Sequence, residues 1–283
     1  MTDNRWKPRR LIEEKYRRNL QRLMDLFRTR LDNMTDPYDI FDELRKFTSS
    51  GFFRDLAMLS ASRMVTALAS DSAKTWREAA REGMQGRRIY SALQREMAGP
   101  TGFRVRSLID ENAELISTFP LDIAREETRY IQRESMKGRR SKDIAEDLKA
   151  RFPRISGNRI NLIARTETSK ASTDLTRARS DEMGLDWYVW RTSKDARVRQ
   201  SHRLMDGVLL RWTDPASPEE LNHEKSYGRY QPGKIFNCRC YPEPLLRIDQ
   251  IAWPHKVYVE GRIRIMSRAQ FMAMNGEGLR KVA

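Results

Sequence analysis

From Ile12 onward, apolar side chains return every three or four residues, at Tyr16, Leu20, Leu23, Phe27 and Leu31. That spacing draws one stripe along one face of a helix. The segment NMTDPYD interrupts the pattern, and a second helical stretch runs from Phe52 through Leu56, Leu59 and Leu68 towards Trp76, predicted to pack on the first. Breaks are expected at AGPTGF (98–103) and at STFP (117–120), because Gly and Pro punctuate helices. Residues 121–153 read as two helices joined by a turn at Gly138, with Ser141 as N-cap of the second and Pro153 as its end. A long helix over 156–183 follows, with Ile160, Ile163, Ala164, Ala171, Leu175 and Ala178 on one side and Gly184 as its stop.

Beyond Gly184 the period shifts towards two. DWYVWRTS alternates bulky β-formers and predicts a strand, KDARVRQSHRLMDG a loop with a short helix, and VLLRW a second short strand. A long loop over 213–234, punctuated by Pro, Gly and Asn, comes next; loops of that length usually bind something or wrap a neighbour. The fold class predicted is α+β: a mainly helical N-terminal half, then a small domain in which a long helix packs on short β-strands. No internal repeat or low-complexity tract stands out.

Composition adds partners to this picture. A chain of 283 residues buries a core of its own, with about two domains as the expectation. Lys and Arg number 54 against 39 acidic residues, a formal charge of +15 and a pI near 10.1. Such a balance favours polyanions and says nothing about fold. Arg9, Arg10, Arg17, Arg18 and Arg22 crowd the polar side of the first stripe. They read either as a solvated face or as a contact to nucleic acid or an acidic partner. The N-terminus lacks the apolar stretch of a secretory signal, and no run of about 18 apolar residues suggests a membrane span. Two cysteines fit a reducing compartment.

Both cysteines fall in one short segment, GKIFNCRCYPEP. A metal half-site, a strained disulfide, a redox pair and two buried thiols are the readings open to Cys238 and Cys240. If the segment is extended, residues two apart face one side with Cα atoms about 6.6 Å apart, poor for a disulfide and comfortable for two ligands of one ion. Zn²⁺ would need two more ligands, with His202 first and His223 or Asp195 behind it. Without an ion, the thiols pack beside His202 while Arg239 points towards a carboxylate. Asp195, His202 and Asp206 also have the makings of a general-base cluster. Against hydrolysis stand the lack of a nucleophile motif, of a Gly-rich phosphate loop and of carboxylates enough to hold Mg²⁺.

Taken in order, IARTETSKA, WRTSKDARVRQSHRLMDG and QPGKIFNCRCYPEP form a series. This series resembles the phage Mu F-like head morphogenesis proteins, minor capsid proteins of tailed phages and prophages. The resemblance covers about residues 105–245. It places Ala164, Arg165, Thr166 and Glu167 on the helix, Trp190 on the strand, and Asp195, Arg197, Arg199, His202, Asp206 and Gly207 in the central segment. Pro232, Gly233, Cys238, Arg239 and Cys240 form the ending. Arg165 and Glu167, two apart on a helix, cannot pair with each other and are expected to tether the DARVR loop.

The resemblance implies a structural protein of the virion without catalysis of its own. Such a protein would associate with the portal and with capsid or scaffold proteins during assembly in the host cytoplasm, and would sit in the phage head beside packaged double-stranded DNA, read without sequence preference. No membrane partner is expected. The division expected is a basic helical region over 1–104, a Mu F-like domain over 105–247 and a tail over 248–283. One rival is a metal-dependent nuclease or other DNA-processing enzyme carried in the virion; another is a sequence-specific DNA-binding regulator, for which no helix-turn-helix pattern appears.

Overall fold

A computed structural model describes residues 4–31, 34–82 and 86–275. The protein is α+β. Its helices are α1 (Arg10–Arg28), α2 (Pro37–Ser49), α3 (Gly51–Arg81), α4 (Gly86–Arg95), α5 (Pro100–Met136), α6 (Ser141–Glu182), α7 (Gln200–Met205), α8 (Pro218–Leu221) and α9 (Arg268–Asn275). Its strands are β1 (Trp187–Arg191), β2 (Leu209–Arg211), β3 (Tyr241–Pro244), β4 (His255–Val259) and β5 (Arg262–Met266). The chain divides into two compact units. One comprises residues 10–66 and 106–167, the other residues 1–9, 67–105 and 168–283.

The first unit is helical. The stripe on α1 is buried at Tyr16, Leu20, Leu23, Met24 and Phe27. Phe27 meets Phe47 of α2 and Phe152 of α6, with ring centroids 5.8 and 5.3 Å apart. α2 begins where NMTDPYD predicts only a break: the Asp36 carboxylate accepts the Tyr38 N–H, and Pro37 occupies the first turn, where its missing donor costs nothing. α5 ends in a turn at Gly138 (φ 77°), where the Arg139 N–H reaches back to the Glu134 carbonyl.

Two predicted breaks are absent. α5 runs through Pro120 and α6 through Pro153. Each proline removes one backbone donor, but the residues around them carry the apolar pattern onward: Phe119 and Ile123 in α5, and Phe152 and Ile160 in α6, are all buried. Burial of a continuous face therefore outweighs the local rule, and the two helices expected at 141–153 and 156–183 are one.

The second unit holds a mixed five-stranded sheet in the order β3-β1-β2-β4-β5. β1 pairs antiparallel with both β2 and β3, β2 parallel with β4, and β4 antiparallel with β5. Period-two alternation on β1 feeds two cores at once. Trp187 and Val189 join a cluster with Trp6, Trp76, Met183 and Phe271, whereas Tyr188 and Trp190 join one with Met205, Trp212, Tyr230 and both cysteines. Two of the five strands thus come from beyond Pro244. α6 stops at the Gly184 turn (φ 62°), closed by the Leu185 N–H to the Ser180 carbonyl.

Candidate functional site

On the second core, β1, α7, α8 and the segment before β3 converge. The NCRC segment opens in a turn and leads into β3 without regular structure at Cys238–Cys240: Asn237 has φ 55°, and the Cys238 N–H bonds the Ile235 carbonyl at 3.2 Å. Even so, both thiols face one side. Cys238 Sγ lies 3.5 Å and Cys240 Sγ 3.4 Å from His202 Nδ1, and all three residues are buried. Trp190 stands edge-on to the imidazole, centroids 5.7 Å apart.

The other imidazole nitrogen faces away from sulfur. His202 Nε2 is 2.9 Å from the Tyr230 hydroxyl, which is 2.6 Å from Glu219 Oε1. The Tyr230 hydroxyl donates its one proton to Glu219 and therefore accepts from His202 Nε2–H. That assignment leaves Nδ1 as a bare lone pair aimed at the two sulfurs. The S–H of Cys240 bonds Cys238 and draws the Cys238 pKa down, against burial. Cys240 moves up, because its proton is held in that bond and because it is buried.

These donors form the one group of three or more His, Cys, Asp and Glu side chains suited to a metal among the described residues, all within 4.8 Å of one another. Neither candidate fourth ligand joins it. His223 is exposed, in a left-handed turn (φ 58°). Asp195 is engaged elsewhere: it accepts from Ser193 Oγ (2.9 Å), the Arg197 N–H (2.9 Å) and Arg239 Nη2 (2.7 Å). Desolvation pushes the Asp195 carboxyl up, but the hydrogen bonds from Ser193 and Arg197 and the Arg239 charge hold it below the ordinary carboxylate range.

The remaining motif residues brace this centre. Arg199 donates to the Phe236 carbonyl at 3.0 Å and lies over its ring at 4.7 Å. Asp206 Oδ1 accepts from the Thr192 N–H (2.8 Å) and hydroxyl (3.1 Å), and the Gly207 N–H bonds the Trp190 carbonyl (2.8 Å) at φ 82°. The Arg197 side chain is exposed. Pro232 accepts from Thr173 Oγ1 of α6 at 2.6 Å. Gly233 follows at φ 86°, where a Cβ would meet Thr173 Oγ1 at 2.7 Å and the Cys240 carbonyl at 3.0 Å.

Ala164 and Thr166 are buried on α6. Arg165 faces Glu13 of α1 at 3.5 Å, and Arg165 and the DARVR loop fall in different units. Glu167 contributes, after burial, to holding the Tyr16 hydroxyl above its usual pKa. Of the basic candidates, Arg9 pairs with Asp71 at 3.2 Å and Arg10 with Glu14 at 2.9 Å. Arg17, Arg18 and Arg22 are exposed on α1 and make no ion pair with a described residue.

Sequence reasoning missed Tyr230, Glu219, Asp174 and Arg179. The first two sit in the polar 213–234 loop, whose length was the only signal. Asp174 of α6 holds Lys234 Nζ (2.6 Å) and Arg104 Nη2 (2.5 Å). Arg179, fully buried on α6, donates to both Glu96 oxygens, Ser72 Oγ and the Ala69 carbonyl.

The family described as Phage Mu protein F like protein matches residues 128–242, the stretch containing every residue of this centre. Those residues resemble a Mu F-like domain. The chain is similar to a Haemophilus influenzae protein described as uncharacterized, 32% identical over 143 residues, which is 50% of this chain and 30% of that one. It is also similar to uncharacterized protein MJ0329 of Methanocaldococcus jannaschii, 35% identical over 109 residues, 38% of this chain and 15% of that one. The chain therefore spans less than a third of the length of either relative. No solved structure matches it.

Proposed function

We propose that this chain is a structural minor head protein of a tailed phage or prophage, acting in head assembly at the portal or the inner capsid surface. The observation that carries this reading is the Mu F-like match over residues 128–242. Two features support it. The motif polar groups are spent on one another, as in Asp195 with Arg239 and Asp206 with Thr192, which is how a scaffold is braced. The charge of +15 suits a place beside packaged DNA, where phosphate contacts need no reading of bases. Among the described residues no helix is long and apolar enough to cross a membrane.

The test is the particle itself. Quantitative mass spectrometry of purified filled heads should find this chain at a low, fixed ratio to the portal protein, and deletion of its gene should lower the yield of filled heads. Its absence from purified heads would refute a virion role.

A further inference from the structure

We infer that His202, Cys238 and Cys240 form a zinc site whose histidine is preset for the metal by Tyr230 and Glu219. Tetrahedral zinc, with bonds of about 2.3 Å to sulfur and about 2.0 Å to nitrogen, sets sulfur and nitrogen ligands about 3.5 Å apart. The two S···N distances here are 3.5 and 3.4 Å. A neutral Nδ1 has one lone pair and takes one S–H bond, so near-equal approach of two sulfurs fits an ion at their centre better than a thiol hydrogen bond. Two thiolates with an imidazole also choose zinc over magnesium or calcium, which take oxygen.

The supporting shell gives a second, independent argument. Metal-bound histidine donates its far N–H to a carboxylate or similar acceptor, which fixes the tautomer and ring orientation. His202 Nε2 does so through the Tyr230 hydroxyl to Glu219, which also lies 3.5 Å from Nε2 directly. Glu219 is buried, and its Oε2 has no hydrogen-bond partner. A cation on the far side of the imidazole supplies positive charge to that carboxylate. With three protein ligands among the described residues, the fourth position falls to water. Binding releases the two thiol protons to solvent. The ion would then join α7 to the turn before β3 and, through Tyr230 and Glu219, fasten the 213–234 loop. This inference is independent of the role in the head.

The test uses the full chain purified from zinc-supplemented cells, without chelator. Elemental analysis should find stoichiometric zinc, and exchange for Co²⁺ should give thiolate-to-cobalt charge transfer with the intense visible bands of a tetrahedral site. Cys238→Ser and Cys240→Ser should each abolish those bands. Since either variant can fail to fold, Tyr230→Phe is the sharper probe: it keeps the ring and removes the acceptor for Nε2–H. In chelator competition its zinc affinity should fall about 10-fold or more, with the circular dichroism of the parent. A folded parent chain that carries no zinc and develops no cobalt bands would overturn the site. Unchanged affinity in Tyr230→Phe would overturn the preset histidine.

Discussion

Gly233 is the residue whose identity is most tightly determined. Its φ of 86° is costly for any other residue, and the space a Cβ needs is taken by Thr173 Oγ1 and the Cys240 carbonyl. Gly233→Ala is therefore expected to destabilise the protein by about 2–4 kcal/mol, measured by urea unfolding; a cost below about 1 kcal/mol would mean that the turn relaxes freely. Asp195 gives a pH signature. Its folded pKa lies below the unfolded value of about 3.9, so its stabilisation is present above that value and is lost as pH falls through the folded pKa. Asp195→Asn should lower stability at neutral pH and flatten the decline below about pH 4. Parallel curves for parent and variant would show that the carboxylate contributes nothing. Both residues stood in recognisable motifs, whereas Tyr230 and Glu219 lay in a loop where no periodicity marks which side chain turns inward.

At the scale of elements, the helices and strands that were legible were those with an unbroken pattern: α1 by its stripe, β1 by alternation, the turns at Gly138 and Gly184 by their glycines. Proline misled at two places, because a local rule counts one lost hydrogen bond and cannot see the neighbours that bury Phe119 and Phe152. α2 was hidden by its own start signal, since Asp-Pro reads equally as a turn. Arg179 shows what pattern reading cannot reach: a charge placed on the buried side of α6 looks like an error until Glu96 and Ser72 arrive from distant sequence. Removing one partner leaves the other buried and uncompensated. Arg179→Ala should cost about 3–5 kcal/mol, while replacing Arg179 and Glu96 together by Met and Leu should cost much less. Equal losses in the single and double variants would mean that packing, not charge, is what Arg179 supplies.

For the whole molecule, the α+β class was legible from the change of period after Gly184, but the sheet was not complete in that reading: β4 and β5 are supplied by residues 255–266. The apolar stripe of α1 belongs to a core, so deletion of the N-terminus would confound charge with folding. Substitution separates them. Changing Arg17, Arg18 and Arg22 to Gln should leave thermal unfolding unaltered and weaken retardation of double-stranded DNA. The salt slope should fall by about 0.9 for every phosphate that these arginines no longer neutralise; an unchanged slope would mean that these arginines make no phosphate contacts. The unsubstituted protein with Mg²⁺ or Mn²⁺ should leave DNA intact, and cleavage abolished by His202→Ala would favour the nuclease reading.

The central claim is that the chain works as a docked part of the head, and co-expression with the portal protein that this reading requires tests that most directly. Size-exclusion chromatography with mass measurement should show this chain co-eluting with the portal ring at a reproducible ratio. Elution of the ring and the chain as separate species, with both folded and at concentrations well above those of the cell, would contradict it.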